Sequence, residues 1–258
     1  MRYAICFAPS PISPLWHQGC RWLGRDAGSG HSVSRLCFRG LDPAFLAELT
    51  RKPARYGFQA TLVAPFRLRP PLTEADLLAA LADLASRQPP VVLPPLAVGQ
   101  QDFCFCLRPV RHSAAVQTLA ARCTRAFDRF RAPLQPIELA RSKAAQLSGQ
   151  EKRNLELWGS PYVFEQFRFH FTLTGRMSEG RNRERVHGAL VEIFDPLLDA
   201  PLSVDSLCLF VEPAFGQPLR CLGRFSLSPP AADAAARISH DQQLLRQDLH
   251  PGYECHSA

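Results

Sequence analysis

Apolar and polar positions alternate along this chain in short blocks. Tyr3–Ala8 is almost wholly apolar and reads as a first strand, and the prolines between 9 and 14 then turn the chain. Leu15–Leu23 has apolar spacing that fits a helix. Asp42-Pro43 predicts the start of another, with Asp42 as N-cap and Pro43 in the first turn. Thr73 and Asp76 form a capping-box pattern before the periodic run Leu77–Leu84. Val91–Val98 and Phe103–Val110 read as two strands with a Gly-Gln-Gln-Asp turn between them. From Ser113 to about Phe130, Val116, Leu119, Ala120, Cys123 and Phe127 share one helical face. Ser148 and Glu151 repeat the capping-box pattern ahead of Leu155 and Trp158. Arg183–Phe194 reads as a helix, and Val204–Val211 and Leu219–Leu227 read as strands. Beyond position 230 no strand pattern stands out, and a helix near Ala234–Leu249 precedes a polar tail.

Strands and helices thus alternate irregularly, and two strand pairs look like hairpins. This predicts an α+β fold with antiparallel sheets in preference to a parallel doubly wound sheet. Neither GxGxxG nor GxxxxGK[ST] occurs, so Gly-rich phosphate loops are not the route to a ligand.

Two strands carry the candidate chemistry. In Phe164–Thr174, Phe167, Phe169, Phe171 and Leu173 alternate with Arg168, His170, Thr172 and Thr174. Period two places His170 and Thr172 on one face, about 7 Å apart. An imidazole for proton transfer, hydroxyls and a guanidinium suit a phosphate ester. A lone histidine on such a face is ordinarily just a surface residue. A second segment, Arg55–Phe66, has a similar form: Phe58, Ala60 and Leu62 lie on one face, and Arg55, Gly57, Gln59, Thr61 and Val63 on the other. The two motifs look like halves of a diverged duplication around one cleft. Arg55 and Arg168 share faces with them and are candidate phosphate clamps, although either alone is more commonly a solvated surface arginine.

With these residues the chain resembles the 2H phosphoesterase superfamily, whose signature is one His-X-Thr-hydrophobic motif per lobe. It is most similar to the phosphonate-operon-associated branch. The resemblance runs through Arg2–Ile5, Trp22–Asp26, Arg55–Leu68, Phe130–Leu134, Trp158–Gly175 and Phe210–Glu212. It implies one bilobal domain over residues 1–230, with two antiparallel sheets and outer helices around a central cleft, and a C-terminal extension over 231–258. It also implies metal-independent chemistry at small cyclic or 2′,5′-type phosphodiesters, with no cofactor. One histidine serves as general base and the other as general acid, and the threonines bind phosphate. Residue by residue, this carries over to His170, Thr172 and Thr61.

The first motif departs from the pattern. Its histidine position holds Gln59, and no other histidine is followed by X-Thr-hydrophobic. Glutamine can hold a phosphate oxygen or a water but does not titrate near neutral pH. Loss of one general acid or base removes about 10²–10⁴-fold in rate.

Composition narrows the setting. Of 30 basic residues only Lys52, Lys143 and Lys152 are lysines, and the net charge is +7. An arginine-rich, mildly positive chain suits an anionic ligand, although arginine-rich coding alone gives the same count. Nine cysteines, an odd number with no CxxC pair, argue against a disulfide framework, and Cys104 and Cys106 read as small buried hydrophobes. No apolar run reaches the roughly 18–20 residues of a membrane span. With Pro9 cutting short the first apolar run, the expected setting is the cytoplasm, the expected state a monomer, and the expected partner a small phosphorylated substrate. Three readings stand: a 2H-type phosphoesterase with weakened or altered activity, a non-catalytic phosphate-ligand binding protein, and an RNA-binding or RNA-processing protein. The last is less favoured, because no basic-aromatic cluster occurs. A metal hydrolase is weaker still, with no HExxH.

Overall fold

The computed structural model describes residues 1–136, 138–139, 147–199 and 201–228. The helix expected near Ala234–Leu249 and the extension over 231–258 lie outside the described residues. The remaining elements form an α+β fold with three antiparallel sheets.

The four-stranded sheet is built from β1 (Arg2–Phe7), β2 (Ala60–Phe66), β8 (Ser206–Glu212) and β9 (Arg220–Ser226), in the order β2-β1-β8-β9. β1 and β8 are central, and that is why both read as continuous apolar runs. A three-stranded sheet joins β4 (Leu96–Gln101), β5 (Cys104–Pro109) and β6 (Phe171–Thr172), in the order β4-β5-β6. β3 (Val91–Val92) and β7 (Ser203–Val204) form a separate two-stranded ladder. The two motif segments therefore end on edge strands, β2 and β6, of different sheets.

All but the last of the helices named here start on a side-chain cap. Ser13 accepts from Trp16 N ahead of α1 (Pro14–Leu23), and Asp42 accepts from Ala44 N ahead of α2 (Pro43–Tyr56). Full capping boxes open α3 (Glu74–Ser86) and α5 (Gly149–Trp158). Ser113 caps α4 (Ala114–Phe127), and α6 spans Arg181–Phe194. No helix among the described residues is long and apolar enough to cross a membrane.

Three expectations need correction. The run Arg55–Phe66 is not one strand: α2 continues through Tyr56, and the chain turns at Gly57 before β2 begins. Gly57 has φ +83°, and a Cβ there would meet the Ala27 methyl at 2.4 Å, so only glycine fits. The run Phe164–Thr174 is a single 3₁₀ turn at Phe164–Gln166, then extended chain that pairs only at Phe171–Thr172. Its alternation survives as burial without a ladder: Phe167, Phe169, Phe171 and Leu173 are buried while Arg168 is exposed. The expected strand Val91–Val98 is split between β3 and β4, and the hairpin turn lies at Asp102-Phe103. Both turn residues have left-handed backbones, φ 51° and 66°. A two-residue turn with both positions left-handed matches the twist of a hairpin, yet a phenylalanine there is unusual.

Candidate functional site

The two motif strands meet through their apolar faces. The Phe58 and Phe171 rings stack at 4.8 Å, and Phe58 also stacks on Phe194 of α6 at 6.1 Å. Gly19 of α1 makes the space for this, because a Cβ there would lie 2.3 Å from the Phe58 ring. Phe7 of β1 touches both Phe169 and Phe171. Trp22 adds a hydrogen bond from its indole Nε1 to the Leu173 carbonyl, at 2.8 Å. Next to these rings in sequence, Gln59 directly precedes β2 and His170 directly precedes β6.

Gln59 is buried, and its amide Nε2 donates to Thr61 Oγ1 at 3.0 Å, with Gln59 Oε1 3.2 Å from the same hydroxyl. The two side chains at the first motif are thus engaged with each other. Thr61 stands opposite Cys6 of β1, and burial pushes the Cys6 thiol well above its ordinary value.

His170 is partly buried, and its Nδ1 lies 2.8 Å from the Arg168 carbonyl oxygen. A carbonyl only accepts, so Nδ1 carries the proton and Nε2 keeps a free lone pair. Burial lowers the ring's proton affinity below the ordinary histidine value; the Arg168 carbonyl and the Asp102 carboxylate act in the opposite direction. A ring held neutral with one free nitrogen can accept a proton near neutral pH. Thr172 stands opposite Cys106 of β5. Among the described residues its hydroxyl makes no hydrogen bond.

The remaining sequence candidates are placed differently. Arg55 lies in the last turn of α2, off the motif strand. Its guanidinium bonds the Tyr56 hydroxyl at 2.9 Å and reaches the Gly216 carbonyl at 3.5 Å. Arg168 folds back onto its own turn, donating to the Glu165 and Phe167 carbonyls at 2.6 and 2.7 Å. Thr174 does not join the polar face: it is fully buried and accepts from Phe105 N at 2.9 Å. The structure thus joins Gln59 with Thr61 and puts His170 two residues from Thr172. Among the described residues, no hydrogen bond or ion pair links one motif to the other.

Sequence reasoning missed a groove of about 730 Å³ next to the His170 segment. Gln101, Asp102, Arg108, Tyr162 and Arg168 line it. The signal that could have found Arg108 is its alternation with Cys104 and Cys106 in β5. Arg25 was also missed: its guanidinium ties the Ala54 carbonyl at the end of α2 to the Leu219 carbonyl ahead of β9, at 3.1 and 2.6 Å. The described cysteines are all free thiols, and among the described residues no group of His, Cys, Asp or Glu could hold a metal.

Comparison with known proteins places the chain among relatives. It is 34% identical over 220 residues to a ribose 1,5-bisphosphate phosphokinase PhnN of Janthinobacterium sp. (strain Marseille), covering 84% of this chain and 49% of that protein. A protein of the same name from Laribacter hongkongensis (strain HLHK9) is 38% identical over 220 residues, covering 85% and 50%. The chain spans about half the length of these curated relatives. Among solved structures, E. coli LigT complexed with 3′-AMP is similar at a TM-score of 0.39 and 15% identity, over 88% of this chain and 98% of that one. The protein TT0787 of Thermus thermophilus is similar at a TM-score of 0.40 and 18% identity, over 89% and 99%. Residues 61–220 match the family described as protein of unknown function (DUF1045), and the chain belongs to that family.

Proposed function

We propose that this chain is a 2H-type phosphoesterase that binds a small cyclic phosphodiester and turns it over slowly, because Gln59 replaces one proton-transfer group. The observation that carries the reading is His170: its Nδ1–H is fixed on the Arg168 carbonyl and burial favours the neutral ring, so Nε2 is the group able to take or return a proton. Thr172, two residues on with an unengaged hydroxyl, suits a non-bridging phosphate oxygen. At the first motif, Gln59 and Thr61 offer amide and hydroxyl donors to the same phosphate or to an attacking water. In this mechanism the neutral His170 ring removes a proton from the attacking water at Nε2, and the leaving oxygen takes its proton from solvent, without a protein acid. The loss of one such group is worth about 10²–10⁴-fold in rate.

The relatives are named for a ribose bisphosphate, and this fits a small sugar phosphate as the ligand class and a place in phosphonate metabolism. A second reading, a binding protein without turnover, is favoured by the closed Gln59–Thr61 pair, which leaves nothing titratable at the first motif. Calorimetry with 2′,3′-cyclic AMP and ribose cyclic phosphates, run beside product analysis, separates the two. Binding with slow product formation that vanishes in His170→Ala supports the phosphoesterase. Binding with no product in either protein supports the binding protein, and no binding at all rejects both.

A further inference from the structure

The reading above uses one phosphate, but the sheet face next to it holds another cation. Arg108 lies two residues beyond Cys106 in β5, and Cys106 stands opposite Thr172. Period two sends the Arg108 side chain off the same face as Thr172. On its other side Cys106 pairs with Gly99 of β4. A Cβ at Gly99 would lie 2.5 Å from Arg108 Nε and 3.2 Å from its Cδ. The glycine therefore leaves a bed on the sheet in which the arginine lies flat.

Arg108 is exposed and, among the described residues, makes no hydrogen bond or ion pair. Its neighbours are engaged: Arg168 holds two carbonyls, and Arg183 holds the Met177 carbonyl and Glu179. The carboxylates of Asp102, Glu151 and Glu165 line the same groove, yet none pairs with Arg108. A guanidinium with all five donors unengaged, positioned by packing, is a fork suited to a phosphate or carboxylate. Thr172 and Gly99 are separated by two strand spacings, about 10 Å. That span suits one sugar ring with a phosphate on either side.

We propose that Arg108, laid over Gly99, is an anion-binding residue that recognises a second group, a phosphate monoester, on the phosphodiester held at His170 and Thr172. This rests on the phosphodiester reading of that site. It predicts a ligand phosphorylated twice, with selectivity set by an arginine outside both motifs.

The test is calorimetric binding of 2′,3′-cyclic AMP and of the same nucleotide carrying a 5′-phosphate. Wild type, Arg108→Ala and Gly99→Val are compared. Wild type prefers the 5′-phosphorylated ligand by about tenfold or more, the scale of one added hydrogen-bonded charge contact. Arg108→Ala loses that preference and still binds 2′,3′-cyclic AMP. Gly99→Val, which drives the arginine off its bed, loses it too. Equal affinities in wild type, or a preference that survives Arg108→Ala, overturn this inference and leave the phosphodiester reading in place. Failure of wild type to bind either ligand overturns both.

Discussion

Replacing Phe171 with alanine probes the stack that joins the two motif strands. Phe58 and Phe171 are both fully buried, 4.8 Å apart between centroids and within 18° of parallel. Phe58 is further held by the Phe194 ring and by the close approach of Gly19. Little around Phe171 can collapse into the space it leaves, since the Phe7, Phe58 and Phe169 rings that surround it are themselves held in the core. Truncating a buried phenylalanine of this kind costs about 3–5 kcal/mol. That is a large share of the roughly 5–15 kcal/mol typical of a folded domain. Urea unfolding followed by circular dichroism measures it. In a double-mutant cycle with Phe58→Ala, the two losses overlap by about 0.5–1.5 kcal/mol, the extra worth of a ring pair. Additivity within about 0.3–0.5 kcal/mol is the behaviour of independent sites. A Phe171→Ala cost below about 1.5 kcal/mol, or strict additivity with Phe58→Ala, would refute the view that this stack joins the strands.

Three further predictions concern charge and space. Burial lowers the proton affinity of His170, so the folded state binds fewer protons there than the unfolded chain. Stability is therefore full above the ordinary histidine value of about 6.5 and declines as pH falls through that value towards the folded one. Urea midpoints between about pH 8 and 5 fall less in His170→Gln than in wild type, and an NMR titration midpoint for His170 above about 6.5 contradicts the sign. The buried Glu212 pairs with Arg2 at 2.5 Å and accepts from Gly216 N at 2.9 Å, so Glu212→Ala leaves a largely buried arginine without its main partner. Unfolding titrations should show a loss of about 3–5 kcal/mol. Gly19→Ala forces a methyl into the Phe58 ring, for which overpacking costs about 1–3 kcal/mol; an unchanged urea midpoint would show that α1 does not hold this strand.

How far the sequence could be read follows from which interactions are local. Caps depend on residues close in sequence, so Asp42, Thr73 and Ser148 marked their helices correctly. Period-two alternation marked the buried face of Phe167–Leu173 even though only Phe171–Thr172 pairs, because alternation reports burial and not hydrogen bonding. Other features depended on turn geometry or on contacts distant in sequence. Arg55 was read onto a strand face, but α2 runs on to Tyr56 and the turn at Gly57 is required by Ala27. Arg168 was a candidate clamp, and the local turn brings its donors back to the Glu165 and Phe167 carbonyls. Arg108 had only its alternation with Cys104 and Cys106 as a signal, since its bed on Gly99 lies across a hairpin whose turn was placed too early. The glutamine at position 59 was legible directly. Its engagement with Thr61 needed coordinates.

The most direct test of the account is the rate of 2′,3′-cyclic AMP hydrolysis by wild type, His170→Ala and Gln59→His, measured side by side. On the proposed reading an imidazole at position 59 supplies the second acid or base, so Gln59→His should raise kcat by about 10²-fold or more. His170→Ala should abolish the wild-type rate. Equal rates in all three proteins would contradict the claim that His170 and position 59 form the two halves of one phosphoesterase site.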